Sequence, residues 1–220
     1  MRRDLLAAVP VLAAVPPGDL EALAQHAQRS WFRRGQVIFQ RDDAGTSLHI
    51  VEQGRVYIVL PSPQGEEMIV AVLGPGEFFG DLSLLDGAPR CASAVAAEPL
   101  STFMIRREHF LAWLESRPSA ARAIMTALAR RLRATDEMLG DAAFLDIDRR
   151  LAKKLLELCR RQSQGEIPSA RVTQDELAAM LGLTRECINK HLGQLKDRGL
   201  IEVSRGSIRL LCPEDLTQLT

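Results

Sequence analysis

The chain has 220 residues, and its 28 lysines and arginines balance 28 aspartates and glutamates, so the formal charge is zero. Apolar residues make up 46% and charged residues 25%, the composition of a folded globular chain and not of a disordered one. No apolar run reaches the roughly 18 residues of a membrane helix, and the length suits one large domain or two small ones.

At the start, Arg2 and Arg3 precede Leu5 to Val15, the outline of a secretion signal. Asp4 and Pro10 interrupt it, and the pattern runs on through Leu20, Leu23, Ala24 and Ala27, which reads as a surface helix packed on a domain. From Ser30 to Phe103 short strands alternate with glycine turns: 37–39, 48–51, 56–60, 68–73 and 101–105. Gly35, Gly45, Gly54, Gly65, Gly74, Gly76 and Gly87 punctuate them. Turn signals about every 8–12 residues predict an antiparallel sandwich or barrel, with Asp42-Asp43 and Glu66-Glu67 as solvated turns.

After Pro118 the period changes. Ala121, Met125, Leu128, Leu132, Thr135, Leu139 and Ala142 follow the alternating three-and-four spacing of a coiled-coil seam. Arg122, Arg130, Arg131, Arg133, Asp136 and Glu137 flank it, and so narrow a stripe on a charged helix favours a second copy as partner over packing on the chain's own barrel. From Asp148 a helix carries Leu151, Leu155, Leu156 and Leu158, and a polar loop follows over 162–170 with Gly165 and Pro168. Two short helices come next, 174–181 and 185–195, around Gly182-Leu183-Thr184, and then two strands, 201–203 and 207–211, around Arg205-Gly206.

The neutral total conceals a gradient: residues 1–145 hold 15 basic and 17 acidic residues, residues 146–220 hold 13 and 11, with all four lysines. Two short helices joined by a glycine-containing turn form a helix-turn-helix. Thr173 with Glu176 predicts a capping box, and Thr184 caps the second helix, where a threonine or backbone amide also suits a DNA phosphate. Helical spacing puts Arg185, Glu186, Asn189 and Lys190 on one side, and their chemistry matches base edges: Arg and Lys for guanine, Glu for cytosine, Asn for adenine. A charged helix face is commonly no more than solvated, but the helix-turn-helix and the β-ribbon wing favour DNA. Ser204, Arg205, Lys196 and Arg198 are then phosphate contacts.

The N-terminal half carries Gly76-Glu77-Phe78-Phe79-Gly80-Asp81-Leu82-Ser83-Leu84-Leu85-Asp86-Gly87-Ala88-Pro89-Arg90-Cys91-Ala92. A short helical turn after Gly80 would point amides at an anion, Arg90 offers a forked cation, and Asp81 an acceptor for a sugar hydroxyl. With Arg34 to Phe39, Gly54-Arg55-Val56, Phe144-Leu145-Asp146 and the 173–203 module, this cassette makes the chain resemble a Crp/Fnr-family transcription regulator over nearly its full length.

The resemblance implies an α+β fold: an antiparallel β-roll of the cyclic-nucleotide-binding type (1–117), a long dimerisation helix (118–145) and a winged helix-turn-helix (146–220). It implies a cytoplasmic homodimer that binds double-stranded DNA at inverted TGTGA-like half-sites and engages RNA polymerase. Cyclic AMP is the expected effector. Gly80 and Asp81 would face its sugar, Arg90 and Cys91 its phosphate, and Thr135 and Asp136 its base, while Arg185, Glu186 and Lys190 match the family's base readers.

This sequence departs from the family pattern at several of those positions. Asp81 stands where cyclic-AMP binders usually have Glu, Cys91 where they have Ser or Thr, and Asp136 where Ser is frequent; Asn189 and Lys190 replace a small residue and Arg. A ligand-independent regulator, a different nucleotide, or oxidation at Cys91 are therefore the alternatives, although a small residue replacing Ser is the plainer reading of Cys91. Cys91, Cys159, Cys187 and Cys212 lie too far apart for a disulfide framework, a zinc site or an iron–sulfur cluster, and fit a reducing compartment. His26, His49, His109 and His191 have no ligand-pair spacing and read as surface or core residues. With no catalytic triad, Walker motif or HExxH, no enzyme activity is expected; a nucleotide buffer whose C-terminal module serves protein contacts is the remaining non-regulatory reading.

Overall fold

The computed structural model describes residues 9, 12, 15–62, 67–162 and 168–219. Most of the Leu5–Val15 run, Gly65, Glu66 and Gly165 lie outside the described residues. The contacts divide the chain into two units, Met1–Gly65 with Val70–Arg133, and Glu66–Ile69 with Ala134–Thr220.

The first unit is built on two antiparallel sheets. Strands β1 (Gln28–Phe32), β8 (Leu100–Arg106), β3 (Ser47–Gln53) and β6 (Phe78–Phe79) form one, in the order β1-β8-β3-β6. Strands β2 (Val37–Phe39), β7 (Ser93–Ala96), β4 (Val56–Pro61) and β5 (Glu67–Leu73) form the other, in the order β2-β7-β4-β5. The runs rich in β-branched residues fall on β2, β3, β4, β5 and β8, as expected. Asp42 takes a left-handed φ of 71° in an exposed turn, also as expected.

Val51, Val56, Phe79, Ala94, Ala96 and Leu100 make one core cluster in this unit. A larger cluster gathers Leu48, Ile50, Phe103 and Ile105 with three helices: α1 (Pro17–Ala24), α3 (Arg107–Glu115) and α4 (Pro118–Phe144). Leu20, Leu23, Ala24 and Ala27 are buried there, which bears out the amphipathic N-terminal helix. Trp113 Nε1 donates to the Asp19 carbonyl at 2.7 Å and Arg117 pairs with the Asp19 carboxylate at 3.0 Å, tying α1 to the helices that follow.

Helix α4 has two apolar stripes. Ala120, Ala123, Ile124 and Ala127 are buried in the core of the first unit. Met125, Leu132 and Leu139, seven residues apart on the seam, are 60%, 63% and 68% exposed. These three therefore lie apart from the stripe that packs the helix on its own roll, whereas Leu128 of the expected seam is partly buried against the roll's core.

In the second unit α5 (Ile147–Gln162), α6 (Gln174–Leu181), α7 (Arg185–Asp197) and α8 (Pro213–Leu219) surround one core that includes Leu151, Leu155, Leu177, Ile188, Leu192, Leu195 and Leu216. A three-stranded antiparallel sheet of order β10-β11-β9 joins β10 (Ile201–Ser204), β11 (Ser207–Leu210) and β9 (Ser169–Arg171). The polar loop expected over 162–170 thus ends in a strand at Ser169, because Ala170 is buried and pairs with Ile208. Leu211, expected in the last strand, lies beyond it and is half exposed.

Candidate functional site

The cassette at residues 76–92 is organised around Arg90. After β6 the chain turns at Gly80 (φ +83°) into the five-residue helix α2 (Leu82–Asp86), with Asp81 as its N-cap. A Cβ on Gly80 would lie 2.7 Å from Arg90 Nη1 and 3.0 Å from the Ser47 carbonyl, so the guanidinium occupies the space that a side chain there would take. Arg90 is 3% exposed. Its Nη1 donates to the Gly80 carbonyl at 2.6 Å and to Ser83 Oγ at 2.9 Å, and its Nη2 to the Ser47 carbonyl at 2.6 Å.

The guanidinium also lies 4.1 Å from the centre of the Phe39 ring, a cation–π contact. Nε is buried as well and has no hydrogen-bond partner among the described residues. Burial lowers the Arg90 pKa from its ordinary value, while Asp43, Asp81 and Cys91 act to raise it. The Arg90 backbone is pinned as well, its N–H donating to the Asp43 carbonyl and its carbonyl accepting from Asp42, both at 2.8 Å.

Asp81 is 1% exposed, and Arg131 holds it. Arg131 Nη1 donates to the two carboxylate oxygens at 2.7 and 3.0 Å, Nη2 donates to the Phe78 carbonyl, and the guanidinium lies 4.4 Å from the Phe78 ring. Sequence reasoning placed Arg131 among the flanking charges and missed this role. Only its helical distance from the seam residues distinguishes it from Arg130 and Arg133, and the pairing with Asp81 is tertiary. Gly80, Asp81 and Arg90 are thus brought together, whereas Cys91 is exposed and free of any disulfide. Thr135 and Asp136 lie exposed on α4.

Beneath the cassette His49 is 6% exposed, between Ser47 Oγ at 3.2 Å and Thr102 Oγ1 at 3.1 Å, and stacks on Phe79. Burial first, then the Arg90 charge, lowers its pKa to about 4, so the ring is neutral at physiological pH. His26 and His109, distant in sequence, stack with ring centres 3.9 Å apart. Among the described residues no group of three or more His, Cys, Asp or Glu side chains is placed to hold a metal ion.

In the C-terminal unit the caps form as the sequence predicts. Thr173 accepts from the Glu176 N–H at 3.2 Å while Glu176 accepts from the Thr173 N–H at 2.6 Å. Thr184 Oγ1 accepts from the Cys187 N–H at 3.2 Å. Gly182, in the left-handed region at φ 63°, makes the sharp turn between α6 and α7. Ile188, Leu192 and Leu195 bury one face of α7, and Arg185, Glu186, Asn189 and Lys190 stand exposed on it.

Ser204 pairs with Ser207 across a two-residue hairpin, leaving Ser204 and Arg205 exposed at its tip. Arg171 on β9 pairs with the same Ser207, which puts a further exposed cation beside the wing; the unforeseen strand had concealed it from sequence reasoning. His191 Nδ1 meets Asp148 Oδ1 at 2.6 Å and Arg150 Nη2 donates to the Leu181 carbonyl at 2.6 Å, so α5 braces both helices of the motif.

A β-roll with this cassette and a winged helix-turn-helix are the architecture of a DNA-binding regulator. Residues 29–117 match the cyclic nucleotide-binding domain, and residues 149–219 the Crp-like helix-turn-helix domain. The chain is 33% identical over 98% of both lengths to the CRP-like cAMP-activated global transcriptional regulator of Mycobacterium tuberculosis. It is 34% identical, over 91% of this chain and 92% of the relative, to the cyclic AMP receptor protein of Thermus thermophilus. The solved structure of the c-di-GMP-responsive global regulator CLP of Xanthomonas campestris superposes with a TM-score of 0.79 at 25% identity, over 89% of this chain and 99% of that one. The chain belongs to the Crp/Fnr family of transcription regulators, a family of DNA-binding regulators and not of enzymes.

Proposed function

We propose that the chain works as a homodimer whose affinity for palindromic DNA is set by a cyclic nucleotide, cyclic AMP first among them. Its organisation is an effector roll (1–117), a dimerisation helix (118–145) and a DNA-binding domain (146–220). The observation that carries the effector reading is the buried, unpartnered Nε of Arg90 behind Gly80. A buried donor without an acceptor is destabilising, and a phosphate oxygen relieves that state with a charge-assisted bond. Gly80, Asp81, Arg90 and Cys91 hold sugar and phosphate, and Thr135 and Asp136 meet the base. The names of the Mycobacterium and Thermus relatives support cyclic AMP as the ligand.

Dimerisation rests on Met125, Leu132 and Leu139, an exposed seven-residue repeat that a second copy of the helix would cover. On DNA, Arg185, Glu186, Asn189 and Lys190 read base edges of a TGTGA-like half-site, and Thr173, Thr184, Ser204 and Arg205 hold phosphates. RNA polymerase is the partner that such a bound dimer recruits, in a reducing cytoplasm. Because Arg131 takes Asp81 and main-chain carbonyls take Arg90, a ligand must exchange those bonds, and it acts by favouring the DNA-competent population.

The same bonds favour one competing reading, a dimer competent without ligand, since the cassette already satisfies most of its own polar groups. Calorimetric titration of the full chain with cyclic AMP, with cyclic GMP and cyclic di-GMP as competitors, separates the two. The expected result is saturable binding of cyclic AMP that Arg90→Gln abolishes; folded, DNA-binding protein that gives no heat with any of the three contradicts an effector role for the cassette. Sedimentation of the same sample tests the dimer, which Leu132→Glu with Leu139→Glu should convert to monomer.

A further inference from the structure

Beside the cassette, whose Gly87, Ala88 and Pro89 form part of its wall, the β-roll opens a cavity of about 920 Å3, within the roughly 300–1,000 Å3 typical of small-molecule sites. None of Gly80, Asp81, Arg90 or Cys91 lines it. Its apolar walls come from Phe32 on β1, Ile38 on β2 and Met104 on β8, so both sheets contribute. His49, buried and neutral, closes part of the wall between the Ser47 and Thr102 hydroxyls.

Arg106 and Arg107 also line this cavity, and neither guanidinium forms a hydrogen bond or ion pair with another described residue. Helix α3 begins at the same place, with Arg106 as its N-cap and no side-chain cap, so the helix dipole adds to the two cations. The single carboxylate on this wall, Glu108, lies 3.8 Å from His109 Nε2. Apolar walls with a cationic edge match one ligand chemistry.

We propose that this cavity binds a small organic anion, an apolar ring or branched chain ending in a carboxylate or phosphate, with the apolar body against Phe32, Ile38 and Met104 and the anion on Arg106 and Arg107. The cavity shares β3 with the cassette: the Ser47 carbonyl accepts from Arg90 while its hydroxyl meets His49. The anion is therefore a second input to the roll, chemically distinct from a nucleotide.

Calorimetric titration of the full chain with benzoate and with phenyl phosphate tests this, and the tighter of the two identifies the head group. Benzyl alcohol and inorganic phosphate are the controls, the first without the anion and the second without the ring. Saturable binding of benzoate or phenyl phosphate is expected, about tenfold or more tighter than either control. It should persist with cyclic AMP present and weaken about tenfold or more in the Arg106→Gln/Arg107→Gln double variant. Met104→Trp, which fills the cavity and keeps both cations, should also abolish it. No saturable binding of either acid, binding that both variants leave unchanged, or binding that cyclic AMP competes away would overturn the proposal; the last result would move the acids to the cassette.

Discussion

In the β-roll, Arg90 and Asp81 are 3% and 1% exposed, and their bonds run to the roll's own carbonyls and to Arg131. On α7, Arg185, Glu186, Asn189 and Lys190 stand in solvent, and the closest partner of Arg185 is Asp175 at 3.5 Å, an exposed pair worth little. One unit keeps its candidate site charges as structural members and the other keeps them apart from its structure. A ligand for the first must therefore rearrange bonds, whereas a ligand for the second meets a surface that is already open. Under the proposed function, regulation belongs to the unit whose candidate ligand-binding residues also hold it together.

This contrast predicts different penalties for substitutions. The largest falls on the core that carries the open face: Leu192→Ala, at a site 2% exposed, should cost about 2–5 kcal/mol in urea unfolding. Lys190→Gln, two residues earlier and exposed, should move stability by less than about 0.5 kcal/mol while weakening DNA binding. A large stability loss at Lys190 would break the separation of structure from readout.

The next effect is a pH dependence confined to the roll. His49 has a folded pKa of about 4 against an ordinary value of 6.5, so between these values the unfolded chain binds more protons than the folded one. Stability is therefore full above about pH 6.5 and falls as pH drops towards 4, by up to about 3 kcal/mol from this group. His49→Gln should flatten that part of the pH–stability curve, and an unchanged slope would assign it elsewhere. A smaller effect than that of His49 is expected at a cap: Thr173→Ala loses the reciprocal bond with Glu176 and should cost about 1 kcal/mol, read from the urea midpoint.

How far the sequence revealed the molecule depended on whether a feature was local. Strands such as Val56–Pro61 and helices such as Arg185–Asp197 announce themselves by hydrophobic period and caps, and they lie where that pattern puts them. Strand Gln28–Phe32 has no β-branched residue and runs at a sheet edge with Trp31 65% exposed, so its sequence carries no strand signal. Ser93–Ala96 is composed mainly of alanine and serine and is a strand because β2 and β4 flank it. The cassette was legible as a motif, since Gly80, Asp81 and Arg90 fall in one short segment. Its dependence on Ser47 and Arg131 was not, because those bonds span 43 and 50 residues of chain.

Under the proposed function, a ligand in the roll controls DNA binding by the open face of α7. Fluorescence anisotropy of the full chain on an inverted TGTGA-type palindrome, with and without cyclic AMP and across a salt series, tests it most directly. Cyclic AMP is expected to tighten binding by about tenfold or more, affinity to fall steeply with salt, and Arg90→Gln to remove the cyclic AMP effect without removing the salt dependence. Equal affinity with and without the nucleotide, in protein whose cassette is shown to bind it, would contradict that control.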